Sequence, residues 1–548
     1  MEFNVAQVVE AVAASCPDRA AVIFHDRHIT YAELQDRWRR LANVLRDAGF
    51  EVRGERDGLA THESGQDHLA LYLHNGNEYL EGMIGAYAAR AVPFNVNYRY
   101  VADELRYLLA DSDAKGIVFH SQFAPTLDAA RRDLPDLGLL LQVADDSGNG
   151  LLDGATWYED ALAAADPELD VDTAAAWSPD DLYMLYTGGT TGLPKGVLWR
   201  QADIFVGALG GRRAVGGDEF DSLDEIRAAA VNGGARMLPA APFMHGAAHW
   251  MAFTCFTGGN TLVIPSVVEH FDPADCLRTI EEHRVNIALI VGDAFGRPLV
   301  DELERGSYDT GSLLAIVSGG ATLSAGIKRR LLESLPSILV LDGLGASETG
   351  AQAGQRTAAG QSASTGTFTP GPDTCTLSDG LDAVLSPGHA ELGWLGQRGR
   401  VPLGYLDDPE KTTRTFPVID GVRYAVPGDR ARIAADGTLE LAGRDSVTIN
   451  TGGEKVFAEE VEQALAGHPA IYDVVVCGRP SERWGNEVVA IVQLADGATA
   501  TDEDLLDEAR RHLAGYKLPK AVIRTERIER SPSGKADYRW AADRARRS

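Results

Sequence analysis

The chain has 548 residues, 45% of them hydrophobic and 24% charged, a balance that suits a globular protein with one large and one small domain. A net charge of −29 excludes electrostatic capture of nucleic acid or of an anionic membrane surface. Cys16, Cys255, Cys276, Cys375 and Cys477 are scattered and odd in number, so buried thiols are expected rather than a disulfide frame or a zinc site. The opening MEFNVAQVVEAVAASCPDRA has no basic start before an apolar core, and no run approaches the ~20 apolar residues of a spanning helix. A cytoplasmic protein without a transmembrane segment is expected.

In chain order, Thr30 and Glu33 form a capping box ahead of Leu34, Trp38, Leu41 and Leu45, an amphipathic helix that ends at Gly49. Val52 to Asp67 is polar and reads as a surface insertion before the buried run HLALYLHN; Gly82 to Tyr100 reads as a helix followed by a turn. LYMLYT (Leu182 to Thr187) is a buried strand that delivers the loop of YTGGTTGLPKGV (Tyr186 to Val197). Gly188, Gly189 and Gly192 let backbone N–H groups turn toward an anion, Thr187, Thr190 and Thr191 add hydroxyl donors, and Lys195 adds a mobile charge. Lys195 follows Pro194 and precedes Gly196, so this polyphosphate loop is not the Gly-Lys-Ser/Thr loop of ordinary NTPases.

From Asn260, strand-like TLVIP, NIALIVG, LLAIVSGG and SILVLDGLG alternate with helix-like ADCLRTIEEHR and AGIKRRLLESL, which predicts βαβ units around a parallel sheet. Functional loops then belong at the carboxyl ends of strands. The phosphate loop, SGGAT (Ser318 to Thr322) and GLGASETG (Gly343 to Gly350) fit that expectation. Short β-like runs follow from about Gly366, and after GRDS a compact tail has its own strands, YDVVVCG and EVVAIVQL, and the helix DEDLLDEARRHL.

YTGGTTGLPKG resembles the signature of the adenylate-forming superfamily, with Gly188 in place of its usual serine. GLGASETG is similar to that family's Tyr-Gly-x-Thr-Glu element, with Leu344 at the aromatic position and Ser347 at the threonine. The resemblance implies that Glu348, with Thr190, holds Mg²⁺, and Leu344 departs from the family at the position whose tyrosine usually stacks on adenine. YAVPGDR makes Asp429 the ribose ligand, and GRDSVTINTGG makes Arg444 a ribose and phosphate contact. In that string Ser446 takes the hinge position, and Gly452 and Gly453 lie where the pantetheine arm of coenzyme A would pass. SPSGKADYRW makes Lys535 the lysine that acts on carboxylate and α-phosphate. PFMHGAAHW places His245 beside the acyl carboxylate in a shaping and gating role, with His249 structural. The small residues Gly246, Ala247, Ala248, Gly319, Gly320 and Ala321 leave room for a bulky apolar acid or reflect tight backbone packing. Gly320, Gly343 and Ser347 complete the nucleotide site.

The resemblance runs from about Ala6 to Trp540 and is closest to actinobacterial fatty-acid and steroid-side-chain acyl-CoA synthetases. It implies an α/β fold: residues 1–445 form an AMP- and acyl-binding domain with a β-rich subdomain at about 366–442, and residues 446–548 a small mobile α+β domain. The implied reaction joins a carboxylic acid to coenzyme A through acyl-AMP, with ATP, Mg²⁺ and coenzyme A required. An acyl-AMP ligase serving a carrier protein shares every motif, but that subgroup carries an insertion that is not evident here. A peptide-synthetase adenylation domain calls for a carrier domain after Ser548, and a non-catalytic nucleotide or acyl-adenylate sensor does not call for Lys195, Glu348, Asp429 and Lys535 together. A homo-oligomer is compatible with the sequence and not specified by it.

Overall fold

A computed structural model gives the fold. It describes residues 2–548 apart from 135, 188–192, 214–216, 452–453, 482–483 and 532–533, and apart from the side chains at 133, 446, 454 and 455. The Thr30 capping box forms as its sequence demands: the Thr30 hydroxyl accepts from the Glu33 N–H and Glu33 accepts from the Thr30 N–H, starting the helix Tyr31–Asp47. Leu34, Trp38, Leu41 and Leu45 face inward and are buried. Gly49 closes the end with φ +80°, a left-handed angle that glycine adopts without strain.

Two parallel sheets organise the large N-terminal part. In one, Val92–Asn95, His68–Tyr72, Ala114–His120, Leu139–Val143 and Thr156–Trp157 lie side by side, all parallel. His68–Tyr72 is buried at every position, as expected for a central strand covered on both faces. Val92–Asn95 corrects the expected turn after the preceding helix: AVPFN pairs with His68–Tyr72, and its edge position tolerates Pro93.

The other sheet carries the predicted alternation. Thr261–Ile264, Arg236–Pro239, Ile287–Ile290, Ala315–Gly319 and Leu339–Ala346 run parallel in that order, with the helices Pro273–Glu282, Gly292–Arg305 and Ala325–Ser334 between them in the chain. Gly350–Ala358 then turns back antiparallel to Leu339–Ala346, and through Thr367–Pro370 and Leu439–Arg444 the sheet continues into the β-rich stretch. A separate sheet in the C-terminal part joins Glu454–Phe457, Thr448–Thr451, Gly485–Leu494 and Ile471–Ser481, with Ala521–Arg524 parallel to Gly485–Leu494. The fold is therefore α/β with a C-terminal α+β unit.

The phosphate-loop element departs from the parallel-sheet expectation. Leu182–Thr187 and Lys195–Arg200 are adjacent antiparallel strands, with Gly404–Tyr405 on the outer side of Lys195–Arg200. The loop thus closes a hairpin and does not lead from a strand into a helix. Its strands are anchored by fully buried Tyr183 and Trp199, so a firmly packed ribbon presents the loop.

Candidate active site

The hairpin register sets Thr187 opposite Lys195, so the donor hydroxyl and the ammonium leave the ribbon together. Gly188, Gly189, Thr190, Thr191 and Gly192 lie outside the described residues, as do Gly452 and Gly453. The Lys195 ammonium donates to Asp111 at 3.0 Å. Burial pulls the Lys195 pKa down, but Asp111 outweighs it and holds the lysine above its ordinary value. Asn95 ties this hairpin to the acyl motif. It accepts from the Tyr186 N–H at 2.7 Å and its amide lies 2.9 Å from the Tyr186 carbonyl and 2.8 Å from that of Met244, the neighbour of His245.

Glu348 stands in the turn between Leu339–Ala346 and Gly350–Ala358. Two contacts fix that turn: Tyr405 donates its hydroxyl to Glu348 Oε1 at 2.7 Å, and Trp199 Nε1 donates to the Ser347 carbonyl at 2.9 Å. Both partners come from the three-stranded ribbon, so the Glu348 turn is tied to the strands that flank residues 188–192. The Lys411 ammonium sits 3.9 Å from the centre of the Tyr405 ring, within electrostatic reach of both Glu348 and Lys195. Leu344 is half-buried against the Phe368–Leu395 cluster, an apolar packing role in place of a ring beside adenine. Gly343 pairs with Gly319 on one side and Gly354 on the other. Gly320 follows with φ +83°, which only glycine adopts freely.

Asp429 begins the strand Asp429–Ile433, directly across from Arg444. The Arg444 Nε donates to Asp429 at 3.2 Å, and Asp429 and then Glu348 raise the Arg444 pKa against burial. Lys535 completes the group from the C-terminal part. Its turn is closed by hydrogen bonds from Gly534 N to the Ser531 carbonyl and from Ser531 N to the Lys535 carbonyl, with Gly534 at φ +72°. A Cβ at Gly534 would come within 2.7 Å of the Ala294 Cβ, so this position admits no larger residue in the docked arrangement.

The Lys535 side chain is open to solvent by area although protein walls crowd it. Burial and the Arg444 charge depress its pKa, while Glu348 and Asp429 oppose them. Lys535 thus lies within electrostatic reach of Arg444, Glu348 and Asp429. His245 is within electrostatic reach of Lys535: burial, then Lys535, His249 and Arg99, push it down to about 3, so it is neutral at physiological pH. Its Nε2 is buried without a hydrogen-bond partner, an arrangement that leaves a donor or acceptor for a bound group. His249 has no such freedom, since its nitrogens meet the Phe243 carbonyl and the Tyr183 hydroxyl.

The small residues divide into two classes. A Cβ on Gly246 would lie 3.1 Å from Leu185 and from the Trp250 ring, whereas one on Gly319 would find its nearest atom at 3.7 Å and one on Gly320 at 3.9 Å. Gly246 therefore serves close packing, whereas a Cβ at Gly319 or Gly320 would meet its neighbours only at ordinary van der Waals distance. No sequence motif singles out Asp111, Tyr405 or Lys411. LGYLDDPEK offered a nearby aromatic and cation, but no local signal pairs Tyr405 with Glu348.

The arrangement combines the cations Lys195, Arg444 and Lys535 with one carboxylate anchored by Tyr405 and another paired with Arg444. Among the described residues no group of three or more His, Cys, Asp or Glu could hold a metal alone. A lone Glu348, anchored by Tyr405, fits Mg²⁺ that takes its remaining ligands from phosphate and water.

A family model described as AMP-binding enzyme matches residues 9–395, and one described as AMP-binding enzyme C-terminal domain matches residues 460–535. The chain is 54% identical over 544 residues to the medium-chain acyl-CoA ligase Mig of Mycobacterium avium, covering 99% of this chain and 98% of that protein. It is 39% identical over 555 residues to a 3-oxocholest-4-en-26-oate–CoA ligase of Rhodococcus rhodochrous, covering 99% and 96%. The anthranilate CoA ligase AuaEII, solved in complex with anthranoyl-AMP, shares the fold with a TM-score of 0.79 at 20% identity, over 100% of this chain and 98% of that one. On these matches, which span both parts of the molecule, the chain belongs to the AMP-binding enzyme family.

Proposed function

We infer that this protein is an ATP-dependent, AMP-forming carboxylic acid–CoA ligase acting on a fatty or other bulky apolar acid. The observation that carries the reading is that Lys535, from the C-terminal part, lies within electrostatic reach of Glu348 and of the bonded pair Asp429–Arg444. Kinship to ligases named for medium-chain and steroid side-chain acids supports the substrate class. In the first half-reaction a carboxylate oxygen of the acid attacks the α-phosphorus of ATP, and the bond to pyrophosphate breaks. In the second, the thiol of coenzyme A attacks the acyl carbonyl and AMP leaves.

Little covalent work falls to the protein, so position and charge carry the rate. Lys195 and Thr187 bind the polyphosphate with the loop residues Gly188, Gly189, Thr190, Thr191 and Gly192. Asp429 accepts from the ribose hydroxyls, with Arg444 alongside. Gly320, Gly343 and Ser347 leave backbone exposed to the nucleotide. Lys535 stabilises the charge that builds around the α-phosphorus, and the neutral His245 offers its unpartnered nitrogen to the acyl carboxylate. Glu348 and Thr190 would hold Mg²⁺, which, when bound, neutralises polyphosphate charge.

The same reading divides the chain at residues 445 and 446, with residues 446–548 moving as a unit about Ser446. In the second state Gly452 and Gly453 would border the pantetheine arm in place of Lys535. Among the described residues no helix is long and apolar enough to cross a membrane, which is compatible with a cytoplasmic site; assembly as a homo-oligomer belongs to the same proposal.

A panel of short, medium, long-chain, aromatic and steroid carboxylates with Mg·ATP, scored separately for pyrophosphate and acyl-CoA, tests the reading. Acid-dependent pyrophosphate and acyl-CoA together support it. Pyrophosphate without acyl-CoA would indicate an acyl-AMP ligase, and neither product a sensor.

A further inference from the structure

Asp111 is the last residue of the helix Ala102–Asp111, where a negative charge opposes the helix dipole. Such a placement needs compensation, and three donors supply it. Lys195 Nζ lies 3.0 Å from Oδ1, and the Tyr186 hydroxyl donates to Oδ2 at 2.9 Å. The Tyr107 hydroxyl lies 3.0 Å from the same Oδ1 and 3.3 Å from the Pro194 carbonyl. The carboxylate is 15% exposed and Lys195 26%, so water competes weakly for either.

These contacts straddle the phosphate loop. Tyr186 precedes it on one strand, and Pro194 and Lys195 follow it on the other. One carboxylate on a separate helix therefore fixes both stems of the hairpin and the direction of the lysine. An ammonium has three hydrogens, so Lys195 can keep Asp111 and still donate to a phosphate oxygen. Without Asp111 its four-carbon stem would be free to point away into solvent, and binding a phosphate would have to restore the lost order.

We propose that Asp111 is a positioning residue of the adenylation half-reaction, holding Lys195 and the hairpin stems in the geometry that receives the ATP polyphosphate. It acts through Lys195 and touches no substrate. The proposal rests on the ligase reading above, and wild-type ATP–pyrophosphate exchange with octanoate checks that reading separately.

The test is a double-mutant cycle read as kcat/KM for ATP in that exchange assay. Asp111→Asn keeps the shape and removes the charge. It should lower kcat/KM about tenfold, mainly through the KM for ATP with the KM for octanoate unchanged, as loss of binding shared by ground and transition states requires. In a Lys195→Ala background the same change should cost less than about twofold, because the residue it acts through is gone. A purely structural role would give the same loss in both backgrounds, and that result overturns the proposal. So does an Asp111→Asn enzyme whose ATP kinetics are unchanged or improved, the latter meaning that Asp111 competes with ATP for the lysine. Should Asp111→Asn fail to fold, Tyr107→Phe serves in its place: a decrease of about threefold that vanishes with Lys195→Ala supports the clamp, and an unchanged or background-independent effect refutes it.

Discussion

The two walls of the candidate site are held in different ways. Glu348, Asp429 and Lys195 sit at or beside the ends of strands that are themselves paired on both sides, and each has a second tie: Tyr405 to Glu348, Arg444 to Asp429, Asp111 to Lys195. Lys535 arrives on a short turn from a separate sheet. That sheet's part meets the N-terminal side through small contacts: Gly534 against Val291 and Ala294, the Tyr472 ring 5.1 Å from the Arg297 guanidinium, and Glu459 against the Gly443–Arg444 backbone. One wall is assembled once, whereas the other is docked. The docked wall carries a further sign of imperfect pairing, since Glu459 Oε2 is buried without a partner and burial lifts the Glu459 pKa to about 7. Docking that leaves a polar atom unpaired is more readily reversed than a fully satisfied interface.

Removing the docked cation should give the largest effect. Lys535→Ala is expected to lower acid-dependent ATP–pyrophosphate exchange by about a thousandfold, the scale seen when a preorganised charge at a developing anion is lost. A decrease of under tenfold would mean that the docked turn is not part of the adenylation site.

Restricting the joint between the walls comes next. The segment Asp445–Val447 is a single 3-10 turn, whose φ of about −60° is one that proline accepts. Ser446→Pro should therefore retain pyrophosphate exchange and lower acyl-CoA formation by about a hundredfold, because a large dihedral change at the pivot is blocked. Equal slowing of both halves in a folded protein would place the pivot elsewhere.

A change in the fixed wall should be smaller and confined to the nucleotide. Asp429→Ala is expected to raise the KM for ATP about tenfold with little change in kcat, since ribose contacts exist in ground and transition states alike. Kinetics that show a kcat loss instead would give Asp429 a part in the chemistry.

The mildest effect concerns pH. Deprotonation of Lys535 removes the cation, so adenylation should fall as pH rises through its pKa, which burial and Arg444 set below the ordinary lysine value. Lys535→Arg should carry that alkaline limb upward, because guanidinium stays charged. A limb that does not move belongs to another group. His245, already neutral above about 3, should contribute no step near neutrality.

The same contrast separates what could be read from the sequence and what could not. Lys195, Glu348, Asp429 and Lys535 stand in short strings that resemble the motifs of the adenylate-forming family, and the alternation after Asn260 announces the parallel sheet. Asp111 and Tyr405 were not readable, because each acquires its role by meeting a residue more than fifty positions away. The phosphate loop was expected after a parallel strand, but Lys195–Arg200 is itself apolar enough to pair back on Leu182–Thr187. Gly246 shows the limit of reading small residues as space: its missing side chain is filled by Leu185 and Trp250. Local chemistry can be inferred from a string, whereas the volume around it depends on side chains brought in by the fold.

The central claim is that one wall serves adenylation alone. Its most direct test supplies synthetic acyl-AMP and coenzyme A to Lys535→Ala and follows acyl-CoA. The account predicts thioester formation within about threefold of wild type, since the lysine acts at the α-phosphorus and not on the thiol. Thioester formation that collapses along with pyrophosphate exchange, in a protein that remains folded, would contradict it.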